Sequence, residues 1–408
     1  MRIFLGCYDI ASVLSGIAEG LKMAGHDVTS FVMERNLFYP TNNYDIVKEP
    51  FLESKIRYQE KKIHWRIKLK LQKVDSFFFR KQMKKITPRL IDEYDLFIFF
   101  WNPWINEQDL FPLIKAKGKR IICVQLGSDV RYVSAYKQEF GVEVNYWEKH
   151  FHLENLNEKI RKIRVQELFA DSIFSVPDQA GLLIRGYHHI HIPLTNIEKI
   201  IFTIPDREVP IIIHAPSRTG LKGTAIIIKT IERLKSEGFV FEFRLIQNMP
   251  NEDLLKELTH ADILIDQIFL HGPGVLGTEA MAAGTLVATR FFEEYKHIFN
   301  PPVVDIKPDN IYEKMKHILM NRAMYKELQL QGRDFVEKNN TPQKVAEKIM
   351  NSLSIKTTEY QPSFFIDKFL LNTEQKLSKE ILRLNKEVIR KYSPLYTNSP
   401  SLIQRNLI

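Results

Sequence analysis

Short apolar runs that alternate with helix-like stretches constrain this chain more than any other feature of its sequence. The first run, residues 2–5, precedes a loop and then Val13, Ile17 and Leu21, which recur at helical spacing. The segment "HDVTSFV" reads as the next strand, and further strands are predicted at 96–100, 121–125 and 173–176. Strand–helix–strand units of this kind build parallel sheets, because parallel strands need a crossover connection between them.

A second set of alternating elements begins near residue 209. The buried run "VPIIIHAPS" opens it, and strands at 241–247, 263–266 and 285–289 alternate with helices at 226–236, at 251–259 and from Thr278. A chain of 408 residues is too long for one ordinary core. We therefore predict an α/β protein with two Rossmann-like, doubly wound domains, residues 1–200 and 201–350, that face each other across a cleft. Ligands of such sheets bind at the carboxyl ends of the strands.

The last stretch of the chain has a different character. Leu377, Ile381, Leu384 and Val388 form one apolar stripe on a predicted amphipathic helix. We therefore treat residues 351–408 as a helical extension that packs back on the N-terminal domain. Contact with a second copy of the chain or with a membrane surface is the alternative.

Composition restricts the class of protein. Hydrophobic residues make up 44% of the chain and charged residues 26%, which is typical of a globular protein. The longest apolar runs fall short of the roughly 18 residues that a membrane-spanning helix needs. Cys7 and Cys123 lie in strand-like apolar runs and predict reduced, structural thiols. The expected location is the cytoplasm, with peripheral attachment at the inner face of the membrane as a variant.

A basic segment covers residues 55–89. The formal net charge of the chain is +9, and Lys and Arg are dense in this segment, interleaved with Trp65 and the run Phe77–Phe79. Such a pattern suits a helix on an anionic membrane surface. It is equally compatible with an ordinary solvated face. We do not expect a nucleic acid as a partner.

A glycine-rich loop, "HGPGVLGTEAMAAGTLVATR", carries the first signal of a ligand. Three glycines let its backbone approach a ligand closely: Gly272, Gly274 and Gly277. The helix predicted from Thr278 turns its free N–H groups and positive dipole end toward the loop, as helices at phosphate sites do. Glu279, in the first turn, is placed to accept hydrogen bonds from the two hydroxyls of a ribose. A capping glutamate on a tightly packed helix is the structural alternative.

A second loop, "HAPSRTGLKGT", follows the strand that ends at Ile213. Arg218 and Lys222 flank a glycine-containing turn in it. Arg binds phosphate oxygens through two parallel N–H groups, and Lys adds a mobile point charge. Two solvated cations in a surface turn are the alternative. Two such loops at neighbouring strand ends favour a shared ligand such as a diphosphate.

The order of these features resembles the donor-binding domain of GT-B glycosyltransferases, and most of all the large, mostly retaining family 4-like group that uses nucleotide-activated sugars. The likeness rests on "SR-x3-KG", "ADILID" and "GPGVLGTEAMAAGTLVAT", and the opening "DIASVLSGIAEGLKMAGHDVTSFV" is similar to the group's first strand–loop–helix. The resemblance implies that Arg218 and Lys222 hold the donor diphosphate and that Glu279 binds the ribose. It also implies that the Gly274–Val275 backbone lies beside the phosphates. Gly272 and Thr278 complete the predicted donor site.

The chain departs from the family at two positions of the sugar site. The family usually has a Glu eight positions before the ribose Glu, where this chain has His271. Where the family often places a catalytic His, the chain reads "VQLGSDVR", with Leu126 in that place. We predict catalytic roles for His271, beside the transferred sugar, and for Asp129, as a base or as an orienting group for the acceptor hydroxyl. A helix N-cap is the alternative for Asp129.

Arg131 is predicted to hold an anionic group of the acceptor. "FFWNPWI" places Trp101 and Trp104 just past a strand end, and Trp104 is predicted to stack on an acceptor sugar, with the core as the alternative. The run "GYHHIHIP" lacks acidic or Cys companions at ligand spacing, so no metal site is predicted. Whether the reaction retains or inverts the sugar configuration stays open.

The sequence therefore predicts a glycosyltransferase that moves a sugar from a nucleotide-diphosphate sugar to a hydroxyl of a saccharide, glycolipid or glycoprotein acceptor, in polysaccharide or glycoconjugate biosynthesis. Neither a metal nor another cofactor is expected, because the cations and the helix dipole would stabilise the departing diphosphate. Two alternatives stay open. One is an epimerase of the same fold that rearranges a nucleotide sugar, and the other is a non-catalytic partner subunit.

Overall fold

Two parallel sheets, one in each half of the chain, organise the protein. The computed structural model describes residues 1–35, 39, 42–48, 64–127, 129–131, 156–176, 182–195, 197–355, 357–360 and 377–392. None of the helices within these ranges is both long enough and apolar enough to cross a membrane.

Seven parallel strands form the first sheet. In chain order they are β1 (Arg2–Cys7), β2 (Asp27–Val32), β3 (Ile46–Val47), β4 (Leu96–Phe100), β5 (Arg120–Val124), β6 (Ser172–Ser175) and β7 (His188–His189). Across the sheet the order is β3-β2-β1-β4-β5-β6-β7. The order reverses between β1 and β4, so this is the topological switch point, where open α/β sheets bind their ligands.

Helices cover both faces of this sheet. They are α1 (Val13–Met23), α2 (Trp65–Glu93), α3 (Glu107–Ala116) and α4 (Leu156–Phe169). All five residues of β4 are buried, as expected for a strand of a parallel sheet that is covered on both sides. Phe97 and Phe99 belong to one hydrophobic cluster, and Ile98 and Phe100 belong to the other.

The second sheet has five parallel strands. They are β8 (Ile211–His214), β9 (Glu242–Leu245), β10 (Ile263–Ile265), β11 (Leu286–Thr289) and β12 (Val304–Asp305), in the spatial order β12-β11-β10-β8-β9. Its helices are α5 (Thr219–Lys222), α6 (Thr224–Ser236), α7 (Asn251–His260), α8 (Val275–Ala283), α9 (Ile311–Met320) and α10 (Lys326–Asn339). The switch point here lies between β8 and β10. The two loops singled out in the sequence are the ones that follow these two strands.

The chain returns to the first domain earlier than the predicted boundary at residue 350. Helix α11 (Pro342–Asn351) packs on α1, and its Val345 and Ile349 lie in the first-domain core. The two helices approach so closely that a Cβ built on Gly20 would lie 1.9 Å from the carbonyl oxygen of Pro342. The boundary is therefore corrected to about residue 341, because the apolar stripe of α11 is buried against α1.

A last helix, α12 (Lys379–Tyr392), packs on α4. Ile381 and Val388 are buried at this contact. The Nε of Arg164 on α4 donates a hydrogen bond of 2.6 Å to Oδ1 of Asn385. This part of the predicted extension therefore lies against the first domain, while residues 361–376 and 393–408 lie outside the described residues.

Two local expectations are settled by the structure. Residues 63–71 fit both a strand and a helix pattern, and from Trp65 onward they form the start of α2. Helix α8 begins at Val275, three residues before the predicted Thr278, because the N–H of Thr278 already donates to the carbonyl of Gly274 at 3.0 Å. Thr278 thus lies inside the first turn of the helix.

Candidate active site

The glycine-rich loop between β10 and α8 is held in one shape by its neighbours. Gly272 has a φ of +74°, a backbone conformation that favours glycine. Its carbonyl oxygen accepts hydrogen bonds from Nε2 of Gln267 at 2.8 Å and from Oγ1 of Thr289 at 3.3 Å. Its N–H donates to the carbonyl of Arg290 at 2.8 Å. The loop is therefore held by hydrogen bonds from its own domain.

Asp266 joins the two predicted donor loops. It follows β10 directly and is 1% exposed. Its Oδ1 forms an ion pair with Nζ of Lys222, and its Oδ2 accepts the N–H of Gly274 at 3.0 Å. A side chain at Gly277 would collide here, since a Cβ built on it would lie 3.0 Å from Oδ2 of Asp266. Lys222 is thus held beside the glycine loop, where a Cβ on Gly274 would lie 3.9 Å from its Nζ.

Sequence reasoning did not single out Asp266. The sequence feature that could have identified Asp266 is an acidic residue directly after a buried strand. Its place at the switch point became evident only from the strand order, because the sequence does not show which strands are neighbours. Once β8 and β10 are adjacent, a carboxylate after β10 is in reach of a cation after β8.

His214 and Arg218 belong to the loop that follows β8. His214 is fully buried, with Nδ1 2.7 Å from the carbonyl of Ile265 and Nε2 2.9 Å from Oγ1 of Thr224. Burial lowers its pKa to about 4, so a neutral imidazole ties β8 to β10 and to the start of α6. Arg218 is exposed at the N-cap of α5. Its carbonyl accepts the N–H of Lys222 at 3.1 Å, and its guanidinium makes no hydrogen bond or ion pair with any residue that the structure describes.

Glu279 lies in α8 with one carboxylate oxygen unsatisfied. It is 5% exposed, and its Oε1 accepts a hydrogen bond of 2.9 Å from Nδ2 of Asn251. Its Oε2 is buried and has no partner among the described residues. Burial raises the pKa of Glu279 to about 7, and the charge of Asp266 adds to the shift. Thr278 is used differently, because its Oγ1 donates to the carbonyl of Gly274 at 3.0 Å and so fastens the loop.

A cavity of about 760 Å³ opens between the domains beside Glu279. The first domain contributes Ser12 and Tyr39 to its wall, and the second contributes Asn251, Val275 and Glu279. Val275 also packs against the first-domain core, and Nδ2 of Asn251 lies 3.5 Å from the hydroxyl of Tyr39. The start of α8 therefore lies at the interdomain cleft that the sequence predicts.

His271 stands at the other end of the glycine-rich loop, among aromatic rings. Its imidazole stacks on Phe292 with a centroid distance of 4.7 Å and meets Tyr295 edge-on. Its Nδ1 accepts the N–H of Phe292 at 3.0 Å, so Nε2 carries the hydrogen and is buried without a partner in the described part of the chain. Burial lowers the pKa of His271 to about 3. A ring in this state can donate a hydrogen bond, but its Nε2 cannot accept a proton.

Asp129 and Arg131 lie in the first domain, past the carboxyl end of β5. Oδ1 of Asp129 accepts the N–H of Gly127 at 2.8 Å, and its Oδ2 is buried without a partner among the described residues. Burial raises the pKa of Asp129, whereas the charges of Arg131 and Lys159 lower it. Arg131 is 4% exposed. Its carbonyl accepts a hydrogen bond of 2.7 Å from Nζ of Lys159.

Trp104 is not a stacking platform, and that prediction is corrected. The side chain is 2% exposed, with Phe4 at a centroid distance of 4.8 Å and Phe99 at 5.4 Å. Its Nε1 donates to Oγ1 of Thr87 at 3.0 Å. The ring fills the core beneath the strand ends, because its neighbours on β1 and β4 are aromatic too.

The predicted site residues thus fall into two groups. Those of the second domain lie around Asp266 and in α8, except the exposed Arg218 and His271, which stacks on Phe292. In the first domain, Asp129 and Arg131 lie past β5, and Trp104 lies past β4. Within the described ranges, no group of three or more His, Cys, Asp and Glu side chains is arranged to hold a metal ion.

Comparisons with known proteins bear on the fold. No protein-family model matches the chain, and no curated protein matches its sequence. An α-glucosyltransferase solved with UDP-glucose and DNA containing an abasic site has a TM-score of 0.51 at 12% identity, over 87% of this chain and 99% of that chain. HepE of Anabaena, solved with UDP-glucose, has a TM-score of 0.52 at 10% identity, over 86% and 99%.

Sucrose-phosphate synthase of Thermosynechococcus elongatus has a TM-score of 0.53 at 13% identity, over 86% of this chain and 97% of that one. All three alignments span both domains of the chain, as their coverage requires. Together with the two switch-point sheets and the returning helix α11, they establish the architecture. The chain has the two-domain GT-B fold.

Proposed function

We propose that this chain is a metal-independent glycosyltransferase that moves a hexosyl group from a nucleotide-diphosphate sugar to a hydroxyl of a saccharide, glycolipid or glycoprotein. One observation carries the proposal. Asp266 holds Lys222 against the glycine loop at the start of α8, and in the same helix Glu279 keeps a buried oxygen without a partner. A cation, a helix N-terminus and an unsatisfied carboxylate are what a nucleoside diphosphate requires.

The diphosphate would lie over the glycine loop. The first N–H groups of α8 have no partner within the helix, and the positive end of its dipole points the same way. Lys222 is anchored beside them, and the exposed Arg218 is free to close on phosphate oxygens with its guanidinium. These groups stabilise the negative charge that develops on the leaving diphosphate and need no metal ion for it.

The ribose would be bound by Glu279. Its Oε2 can accept hydrogen bonds from hydroxyls that approach from the cavity, while Asn251 keeps Oε1 in place. Because burial holds its pKa near 7, the ionised form is available at neutral pH and is stabilised by new donors. UDP-glucose, which is present in the structures of the α-glucosyltransferase and of HepE, is the first donor to test.

The transfer breaks the bond between the anomeric carbon and the diphosphate oxygen and forms one between that carbon and the acceptor oxygen. The proton of the acceptor hydroxyl must leave, and we assign it to Oδ2 of Asp129, with Arg131 near the acceptor. His271 contributes as a donor from Nε2 to a sugar hydroxyl. Closure of the two domains would bring the acceptor to the donor.

Helix α2 supports an acceptor at an anionic membrane surface. Its exposed residues include Ile67 at 51% and Phe77 at 64%, and Lys and Arg surround them. From Trp65 to Ile91 the only acidic residue is Asp75, which is buried. Apolar rings among cations, with exposed acids only at the C-terminal end of the helix, favour adsorption to anionic lipid. Residues 55–63 of the predicted basic segment lie outside the described residues.

Thermal shifts test the proposal. Wild type and Glu279→Ala would be titrated with UDP, GDP, ADP and CMP, each with and without a sugar. One nucleotide should raise the melting temperature of wild type and leave the variant unchanged. No shift for any nucleotide would contradict the donor site.

Product analysis then separates the alternatives. Incubation with the sugar nucleotide and no acceptor should release nucleoside diphosphate slowly, with water as the acceptor. An isomerised sugar nucleotide with no release would identify an epimerase. Nucleotide binding without either product would indicate a non-catalytic subunit.

A further inference from the structure

A second cavity, of about 280 Å³, lies at the carboxyl edge of the first sheet. Tyr8 follows β1, Glu34 follows β2 and Asn102 follows β4, and all three line it. The cavity therefore sits at the switch point between β1 and β4, where an open α/β sheet offers its ligand site. It is distinct from the interdomain cavity beside Glu279 and from Asp129, neither of which lies in its wall.

The wall carries more positive than negative charge. Lys48, Arg80 and Lys162 supply three cations, against Glu34 and Glu107. Lys162 is partly compensated by Glu158, 3.3 Å away. Lys48 and Arg80 form no ion pair with any residue in the described part of the chain.

Lys48 is the less exposed of these two cations. It is half-buried, with its Nζ 4.6 Å from the centroid of the Phe79 ring. Burial lowers its pKa, the charges of Asp75 and Glu34 raise it, and the charge of Arg80 adds a smaller effect that lowers it. An anion bound between Lys48 and Arg80 would relieve this repulsion and gain charge-assisted hydrogen bonds from both.

Glu107 supplies the polar group at the floor of the cavity. It is the first residue of α3, is 3% exposed, and its Oε1 is buried with no hydrogen-bond partner among the described residues. Glu107 lines the cavity, and a buried oxygen without a partner indicates a missing donor. Tyr8 and Phe79 add half-buried rings to the wall, which also includes the buried Trp104. A charged sugar can be bound by aromatic rings, by a carboxylate that accepts hydrogen bonds and by cations, and this small cavity combines all three.

We propose that this cavity is a subsite for the part of the acceptor remote from the reacting hydroxyl, which lies at Asp129, and that it selects a saccharide with an anionic substituent, a phosphate or a carboxylate. Lys48 and Arg80 bind the anionic substituent, and Glu107 accepts a hydrogen bond from a sugar hydroxyl. The assignment of the ligand as the acceptor rests on the glycosyl transfer proposed above. The selection of a charged sugar rests on the cavity alone.

Calorimetric titration with three probes tests this. The probes are methyl α-glucoside, glucose 6-phosphate and glucuronate, added to wild type, to Lys48→Gln/Arg80→Gln and to Glu107→Gln. The matched control is Lys229→Gln/Lys386→Gln, which removes two exposed lysines that do not line the cavity. UDP binding is measured on every preparation as a separate readout of the second domain.

We expect wild type and the control to bind a charged probe about tenfold more tightly than methyl α-glucoside, since one charge-assisted hydrogen bond contributes that much. Lys48→Gln/Arg80→Gln should lose this preference. Glu107→Gln should weaken all three probes and keep the preference. A preference for only one of the two charged probes would identify the anionic group as phosphate or as carboxylate.

Equal affinities for the three probes in wild type, or a preference that survives Lys48→Gln/Arg80→Gln, would overturn the proposal. The measured affinity for UDP distinguishes a failure of the donor-site proposal from a failure of the acceptor-subsite proposal. Charged sugars that bind while UDP does not would contradict the donor site and leave this cavity as a saccharide site. UDP that binds while the probes show no preference would contradict only the acceptor subsite.

Discussion

Each domain presents a buried carboxyl group with one hydrogen-bonded oxygen and one oxygen without a partner, but their surroundings differ. Glu279 stands behind a loop that is already fixed by Asp266, Gln267 and Thr289. Asp129 receives one backbone N–H and otherwise meets the charges of Arg131 and Lys159. The second domain thus carries a loop held by hydrogen bonds from its own domain. The first domain carries buried charges with fewer hydrogen-bond partners among the described residues.

This difference follows from how the two sites are assembled. The second-domain site comes from residues 211–290, two loops that follow neighbouring strands. The first-domain cavity draws on segments from Tyr8 to Lys162. A nucleoside diphosphate is the same group in many reactions, whereas acceptors vary. We therefore expect rigidity in the second domain and side-chain adjustment in the first.

The largest expected effect comes from Lys222→Ala. Asp266 is fully buried and would lose its counter-ion, so the free energy of unfolding should fall by about 4 kcal/mol. Urea denaturation measures it, and Lys222→Ala/Asp266→Ala should recover part of the loss. The exposed pair of Lys256 and Asp253 is the control, and Lys256→Ala should leave stability nearly unchanged. A similar loss of stability in Lys222→Ala and in Lys256→Ala would show that the loop around Lys222 is no more rigid than the surface.

Asp129→Asn tests the other half of the comparison. Removal of a base should slow the release of UDP from UDP-glucose by about a hundredfold, with the affinity for UDP unchanged because that site lies in the other domain. Asp92→Asn, at an exposed ion pair with Lys117, is the control. A parallel loss of UDP affinity in Asp129→Asn would contradict the separation of roles between the domains.

Glu279→Gln should stabilise the protein at alkaline pH. The folded-state pKa of about 7 lies above the ordinary value of 4.5. The contribution of the protonated form to stability is therefore complete below pH 4.5 and is lost as the pH rises to 7. At pH 8 the variant should exceed wild type by about 3 kcal/mol in the free energy of unfolding. Equal stability of the two proteins at pH 8 would mean that Glu279 is not desolvated.

The smallest effect concerns the surface of the first domain. Phe77→Ser should weaken binding to vesicles of anionic lipid by about fivefold, because part of an aromatic side chain no longer enters the interface. Met320 of the second domain is 65% exposed, and Met320→Ser should leave vesicle binding unchanged. Sedimentation with anionic and with zwitterionic vesicles measures both. If Phe77→Ser and Met320→Ser weakened vesicle binding equally, the first domain would have no preference for the membrane.

The sequence alone was sufficient for the two α/β halves, and it brought most of the candidate residues of the second domain into two loops that the structure places side by side. Apolar runs of strand length and glycines next to a short helix are local signals, and the residues of the glycine-rich loop are close neighbours in the chain. Glu279 and Lys222 could therefore be proposed from spacing and resemblance. His271 was identified as a departure, but its tautomer depends on the N–H of Phe292, which no pattern in the sequence indicates.

Only the tertiary structure decided the role of Asp266, the burial of Trp104 and the cavity with Lys48, Arg80 and Glu107. Each depends on which strands are neighbours and on which side chains reach the same space from distant parts of the chain. A Trp after a strand reads alike whether its ring covers the core or faces a ligand, and here the rings of Phe4 and Phe99 place it in the core. The sequence determined the elements because their periodicity is local, and the fold decided the contacts because contacts between distant residues leave no periodic pattern.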